Sequence, residues 1–417
     1  MEDHPISPDA PGGGPVTMYS RLELLAHSGV DLTLLLLSAR SASFGFDQYV
    51  EDQPEVWARV RSWCSGQHRL ELPAAVVRPR RSRGRHAVSL FRDPARELFP
   101  VANEDNGVTA EFRHIVRQVQ PDLIWAENLV PAVLADRSRS GVPIIYGHHD
   151  WIWRVIGLNQ GKRGRTWGFK ITSRLLKGVE ESLVRRVRAC VTSSAHEAAQ
   201  VRGLSSGLAA HFPLTYDPVA LAGVEIEPCN TVPLSTTSSP ARVVHLGGMK
   251  TVANRIGLER FVDVVQPSLS ASDGTAELWV VGSLDGIPDT LVPKLRQTGI
   301  TCTGFVPDLG SVLRPHDVQV VPWEHATGYR SRIPLLLNYA QVVVSTRAAV
   351  TGLPELSSGE NCVLVEDLEE MGPAVLELLA AEPRRRKLGC AARATFLEHF
   401  TREAVQPRFD RFLAELR

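Results

Sequence analysis

Short, nearly unbroken apolar runs alternate along most of this chain with stretches in which apolar residues recur at helical spacing. A strand covered on both faces shows little polar alternation, so this rhythm predicts parallel sheets flanked by helices, an α/β architecture. In the first half, "DLTLLLLS" (31–38), "AAVV" (74–77), "DLIWAE" (122–127), "VPIIYG" (142–147) and "ACVTSS" (189–194) predict strands, and helices fit 17–28, 108–119, 171–187 and 196–203. Residues 214–241 lose the rhythm and end in a Ser/Thr/Pro cluster, as an interdomain linker would. The pattern restarts with "RVVHLG" (242–247), "ELWVVGS" (277–283), "ITCTGF" (300–305), "VQVVPW" (318–323), "VVVST" (342–346) and "CVLVED" (362–367). Polar helices from residue 384 close the chain.

The expected division is a first domain over 1–213, the linker 214–241, a second domain over 242–390, and C-terminal helices over 391–417 that pack back on the first domain. A length of 417 residues suits two domains rather than one core. One feature departs from the pattern: nothing before residue 20 is apolar enough for an opening buried strand. Either the first sheet lacks its usual first strand or the start of the sequence is late.

Composition narrows the function classes. Apolar residues make up 43% and charged residues 22%, values of a soluble globular protein. Basic and acidic residues balance at 46 each, so no global field draws the chain to nucleic acid or a membrane surface. The six cysteines are scattered without CxxC spacing, which argues against a zinc site or disulfide framework and for a reducing compartment. With no signal-peptide pattern in "MEDHPISPDAPGGG" and no apolar run long enough to span a bilayer, the expected location is the cytoplasm. No GxSxG, HExxH or Walker loop is present, which disfavours serine hydrolase, zinc protease and P-loop ATPase chemistry.

The stretch "TGYRSRIPLLL" (327–337) carries the clearest chemical signal. Pro334 is tolerated only in a first helical turn, so a helix starts near 331–333 with Ser331 as its cap. Arg330 and Arg332 then stand just past the strand "VQVVPW", on the side where open parallel sheets bind ligands. Either both arginines are simply solvated, or they grip an anion such as a diphosphate. In "HLGGMKTVANRIG" (245–257), Gly247 and Gly248 would let backbone approach a phosphate, with Lys250 or Arg255 adding charge. Gly12, Gly13 and Gly14 offer a third anion-compatible turn, a pattern also common in flexible N-terminal loops.

"YGHHDWIW" (146–153) places His148, His149 and Asp150 just past a strand end. A histidine there suits an acceptor hydroxyl or a proton relay, or else caps the next helix. As a metal site it is poor, since adjacent histidines project in different directions, and no metal is expected. Trp151 and Trp153 would line an acceptor pocket or the core, and the basic stretch 76–92 reads as a solvated loop, or else as one that attracts an anionic acceptor or a lipid surface.

With these motifs in hand, "GFVPDLGSVLRPHDVQVVPW", "TGYRSRIPLLLNYAQVVVSTRAAVTGLPEL" and "GENCVLVEDLEEM" resemble the C-terminal domain of retaining GT-B glycosyltransferases, group 1 (family four), over roughly 242–400. "PDAPGGG", "YGHHDWIW" and "CVTSSAHEAAQV" resemble that family's acceptor domain more weakly. The resemblance implies two doubly wound, Rossmann-like domains facing a central cleft, with a nucleoside-diphosphate sugar of GDP or UDP type held mainly by the second. It implies no other cofactor. The family's paired glutamates (E-x7-E) fall on Thr327 and Leu335, neither acidic, and its Arg/Lys clamp falls near Gly248 and Ala253–Asn254. Lys250 and Arg255 are then the displaced clamp candidates, and Glu324 and Glu355 the candidate substitutes for the glutamates.

The function this implies is metal-independent transfer of a sugar, with retention, to a small-molecule acceptor, in natural-product biosynthesis. Arg330, Arg332, Ser331 and the helix start would stabilise the leaving diphosphate, Gly12–Gly14 would close over the donor, and His148 or His149, oriented by Asp150, would face the acceptor. Two alternatives stand beside it: a catalytically silent GT-B protein that binds a nucleotide or supports a partner enzyme, and a GT-B epimerase or phosphorylase. Partners are therefore a nucleotide sugar and a small acceptor, with neither nucleic acid nor stable membrane insertion. Oligomeric state is left open by the sequence.

Overall fold

A computed structural model of the chain describes residues 6–8, 13–39, 50–72, 92–99, 101, 107–159, 167–205, 207–221, 242–270, 277–297 and 300–416. It divides into two compact units: Met1–Ala10, Gly14–Phe212 and Gln406–Arg417 form the first, Pro11–Gly13 and Pro213–Val405 the second.

In the first unit, β1 (Thr33–Ala39) pairs in parallel with β2 (Gly66–Leu72). A separate parallel sheet runs in sequence order through β3 (Ile124–Glu127), β4 (Ile144–His148), β5 (Ala189–Thr192) and β6 (Leu208–His211). Leu37 of β1 and Leu70 of β2 share one apolar core with Phe112, Ala126, Leu134, Tyr146 and Leu183. Among the described residues no strand precedes the helix Gly13–His27, and the stretch 74–77 read as a strand lies outside them. β2 and β6 went unmarked by the apolar runs for a physical reason. Both are end strands of their sheets, and "GQHRLEL" alternates half-buried with exposed positions, so it reads as polar.

The second unit holds one six-stranded parallel sheet. Its strands are β7 (Arg242–Leu246), β8 (Glu277–Val281), β9 (Thr301–Gly304), β10 (Val318–Val321), β11 (Val342–Thr346) and β12 (Val363–Val365). The order is β12-β11-β10-β7-β8-β9. All six coincide with the apolar runs, because β7, β10 and β11 are buried along their full length. The chain leaves β7 in one direction through β8 and β9, then returns to β10 on its other side. That reversal makes the carboxyl ends of β7 and β10 the topological switch point, where open α/β sheets form a ligand crevice.

The helix Glu382–His399 belongs to the second unit, and the helix Arg402–Leu416 ends in the first. Phe409 meets Phe212 with ring centroids 5.1 Å apart and Trp125 at 5.7 Å, and Gln406 donates to the Leu24 carbonyl at 3.0 Å. The C-terminus is thereby part of the first unit's core.

Candidate functional site

At the switch point of the second unit, the helix Arg332–Asn338 begins one residue after Ser331, with Pro334 in its first turn. Arg332 turns inward: its Nη1 donates to the Leu246 carbonyl at 2.5 Å and to Asn254 Oδ1 at 3.0 Å. The side chain keeps part of its surface open, yet protein packs densely about the guanidinium, and its partners among the described residues are uncharged. Burial first, then the neighbouring Arg330, pushes its pKa down to about 9. A desolvated cation without a carboxylate is what an anion would relieve. Arg330 lies over Trp323, its guanidinium carbon 5.2 Å from the ring centroid, and donates to the Thr327 carbonyl at 2.7 Å. Beneath them His245 is wholly buried and held well below the usual histidine range by burial and by Arg332.

Glycine is required beside this group. Gly247 has φ +148°, and a Cβ on it would stand 2.4 Å from Asn254 Nδ2 and 3.1 Å from Arg332 Nη1. Gly282, at φ +133°, would put a Cβ 2.5 Å from the Gly247 carbonyl oxygen. On Gly248 a Cβ would meet nothing within 4 Å, leaving that backbone open to a ligand.

The other residues expected here divide. Ser331 does not cap: its φ −50° and ψ −31° are already helical, which removes its hydroxyl from the N–H groups of the first turn, and no side-chain cap bond forms. Its carbonyl instead accepts from the Tyr216 hydroxyl at 2.8 Å. Lys250 points to solvent, 79% exposed, and pairs with Asp285 at 3.5 Å. Arg255 is half-buried in the first turn of the helix Val252–Arg260. Glu355 is half-buried in the turn before Asn361, whose side chain binds its carbonyl. Glu324 is engaged by Arg260 at 2.9 Å. Gly13 and Gly14 open the helix Gly13–His27, and Gly12 lies outside the described residues.

In the first unit, polar groups collect at the carboxyl ends of β3 and β4. Glu127, the last residue of β3, is paired in register with Gly147 of β4 and is 6% exposed. Its carboxylate lies over that glycine, where a Cβ would stand 1.9 Å from Oε2. Trp125 Nε1 donates to Oε2 at 2.6 Å, and His149 Nε2 lies 2.8 Å from Oε1. Burial pulls the Glu127 pKa upward, but the bond to and charge of His149, the charge of Arg21 and the Trp125 bond outweigh it, so the carboxyl sits below its ordinary value. Arg21 is itself buried, donating to the Phe212 carbonyl at 2.5 Å and to Ser193 Oγ at 3.2 Å.

His148 cannot face an acceptor. It is 1% exposed, sharing a strand face with Tyr146 two residues earlier, and packs 4.6 Å from the Trp151 ring, with Nδ1 3.6 Å from Glu197 Oε2. His149, one residue on, keeps 14% side-chain exposure. The carboxylate that orients it is Glu127 rather than the adjacent Asp150, which is half-buried. Trp151 belongs to the core, and Trp153 lies between Arg154 and Lys177 at 5.0 and 5.2 Å. Glu180 is fully buried and accepts from the N–H groups of Ile152 at 3.0 Å and Trp153 at 3.4 Å, where a helix starts. Burial pushes its pKa up to about 7. The apolar pattern passes over Glu127 because it ends a strand run, although a carboxylate closing "DLIWAE" is itself a signal. Glu180 sits on the helical face of Leu176 and Leu183, a second readable anomaly.

Comparison with known proteins bears on the fold and on the second unit. Residues 240–381 match the family model described as Glycosyl transferases group 1. No curated protein matches the chain. Among solved structures, Anabaena Alr3699/HepE in complex with UDP and glucose is 13% identical, with 99% of this chain and 98% of that one covered at a TM-score of 0.61. Sucrose-phosphate synthase from Thermosynechococcus elongatus is 16% identical, with coverage of 92% and 98% and a TM-score of 0.59. TarM is 11% identical at a TM-score of 0.54, and the chain spans 57% of its length. At such identities the likeness is one of fold: GT-B, built from two Rossmann-like domains. The family match spans about a third of the chain, and there residues 240–381 resemble a group 1 glycosyl transferase domain.

Proposed function

We propose that the protein moves a sugar from a nucleoside-diphosphate sugar, of UDP or GDP type, to a small-molecule acceptor with retention at the anomeric carbon. The single observation that carries this reading is Arg332, a desolvated guanidinium with uncharged partners at the switch point of a group 1 domain, with Arg330 beside it. When the bond from the anomeric carbon to the diphosphate breaks, its electron pair passes to the leaving oxygen. Arg330 and Arg332 stabilise that developing charge without a metal ion, and the open backbone at Gly248 lets a phosphate come close. The acceptor oxygen forms the new bond to the anomeric carbon while its proton passes to the leaving diphosphate, and His149 binds the acceptor. The HepE structure holding UDP and glucose supports a UDP-type donor.

Thermal shift with UDP, GDP, ADP and dTDP tests the donor role, followed by a product assay with the matching sugar nucleotide. At least one diphosphate is expected to raise the wild-type Tm, and Arg332→Ala to lose most of that gain. Equal gains in both proteins would remove Arg332 from the site. Thr327 and Leu335, standing where the family has glutamates, favour a second reading, a silent nucleotide-binding protein. Nucleotide binding without turnover, together with a co-purifying partner, would select it.

A further inference from the structure

We infer that Glu127 locks His149 into the tautomer protonated on Nε2, and that the bare Nδ1 accepts a hydrogen bond from a hydroxyl of the acceptor substrate. The inference deepens the proposed sugar transfer and rests on it for the identity of the ligand.

A carboxylate oxygen only accepts. With His149 Nε2 2.8 Å from Glu127 Oε1, the proton of a neutral imidazole must sit on Nε2. Nδ1 is then a lone pair, and it has no partner among the described residues. The carboxylate cannot turn away from its task. Its second oxygen is taken by Trp125 Nε1 at 2.6 Å, and its bed is the Cβ-free backbone of Gly147. Asn128, with φ 75°, turns the chain immediately after Glu127, and its N–H binds the Gly147 carbonyl at 2.9 Å, tying β3 to β4 at this point. The charged group facing the carboxylate is Arg21, which favours its ionised form, as do the hydrogen bonds from His149 and Trp125.

The chemistry of Nδ1 selects its ligand. A neutral acceptor nitrogen repels a carboxylate or phosphate and receives an O–H. A protonated amine would call for a facing carboxylate, and Glu127, 6% exposed, is turned to His149 and Trp125. The class of acceptor is therefore an alcohol, a sugar hydroxyl included. Glu127 is a positioning residue in this scheme, and His149 is the residue that touches substrate.

The test uses the full chain labelled with 15N-histidine, the His149 signals being assigned by their loss in His149→Ala. Two-bond 15N–1H spectra are expected to show Nε2 protonated and Nδ1 bare in the wild type. In Glu127→Gln, where an amide NH2 replaces one acceptor, the two states mix or reverse. In turnover with an alcohol acceptor, Glu127→Gln is expected to lower kcat about 100-fold with little change in the donor KM, and Glu127→Asp to restore part of the loss. In the His149→Ala background, Glu127→Gln should cost nothing further, which a merely structural glutamate would not do. A wild type with Nδ1 protonated, an unchanged kcat in Glu127→Gln, additive losses, or transfer only to amines would overturn the inference. A wild type that transfers no sugar would instead overturn the underlying function and the ligand with it, while the spectra still judge the Glu127–His149 pair.

Discussion

The two units place opposite charges at their strand ends. The first gathers buried carboxylates, Glu127 and Glu197 with Glu180 behind them, around a pair of histidines. The second gathers guanidinium groups, Arg330 and Arg332, against glycine backbone. A carboxylate accepting from one nitrogen of a neutral imidazole leaves the other as a hydrogen-bond acceptor, whereas a desolvated guanidinium favours an anion. One sheet architecture thus carries two unlike polar environments, and the difference lies in the few side chains that close each strand.

The largest expected effect contrasts glycines. Gly282→Ala drives a Cβ into the Gly247 carbonyl at φ +133°, where only backbone can yield, and should cost about 3 kcal/mol or more in denaturant unfolding. Gly147→Ala meets instead the movable end of Glu127. Its stability loss should be about 1–2 kcal/mol, while the displaced carboxylate releases His149 and kcat falls about 100-fold. Equal stability losses in the two variants would erase that distinction.

The next prediction separates two carboxylates of the first unit by pH. Glu180 has a folded pKa raised from 4.5 to about 7, so the folded state binds the extra proton between those values and stability falls as pH rises through that window. At 1.36 kcal/mol per unit the loss is about 3 kcal/mol, and Glu180→Gln should be flatter from pH 5 to 8 in chemical denaturation. Glu127, lowered from 4.5, has the opposite sign: its contribution is present above 4.5 and disappears as pH falls below. A Glu180→Gln profile parallel to the wild type would refute the assignment.

Smaller still is the anion effect in the second unit. Arg332→Ala should weaken nucleoside-diphosphate binding by about 2 kcal/mol, the scale of a charged hydrogen bond, read by calorimetry. Lys250→Ala should change neither binding nor stability by more than about 0.5 kcal/mol, because its pair with Asp285 lies in solvent. A large Lys250 effect would show that the side chain leaves Asp285 when ligand arrives.

Legibility in the sequence followed burial. The central strands of the second unit, β7, β10 and β11, could be read because they are enclosed on both faces, and Arg330 and Arg332 because Pro334 fixes the helix start beside them. β2 could not, since one of its faces is in solvent and its residues alternate. Of the adjacent histidines, the chain offered no means to choose. Strand alternation turned His148 into the core and left His149 half-buried.

By itself, then, the sequence determined the α/β rhythm, the strands of the second unit and the basic cluster at its switch point. These depend on local apolar periodicity and on proline and glycine geometry, which neighbouring residues carry. Only the tertiary structure decided that Glu127 grips His149 across 22 positions, that Arg332 faces Leu246 and Asn254, and that the C-terminal helix completes the first unit's core. Such pairings join residues distant along the chain, and no local pattern encodes which strand ends the fold will bring together.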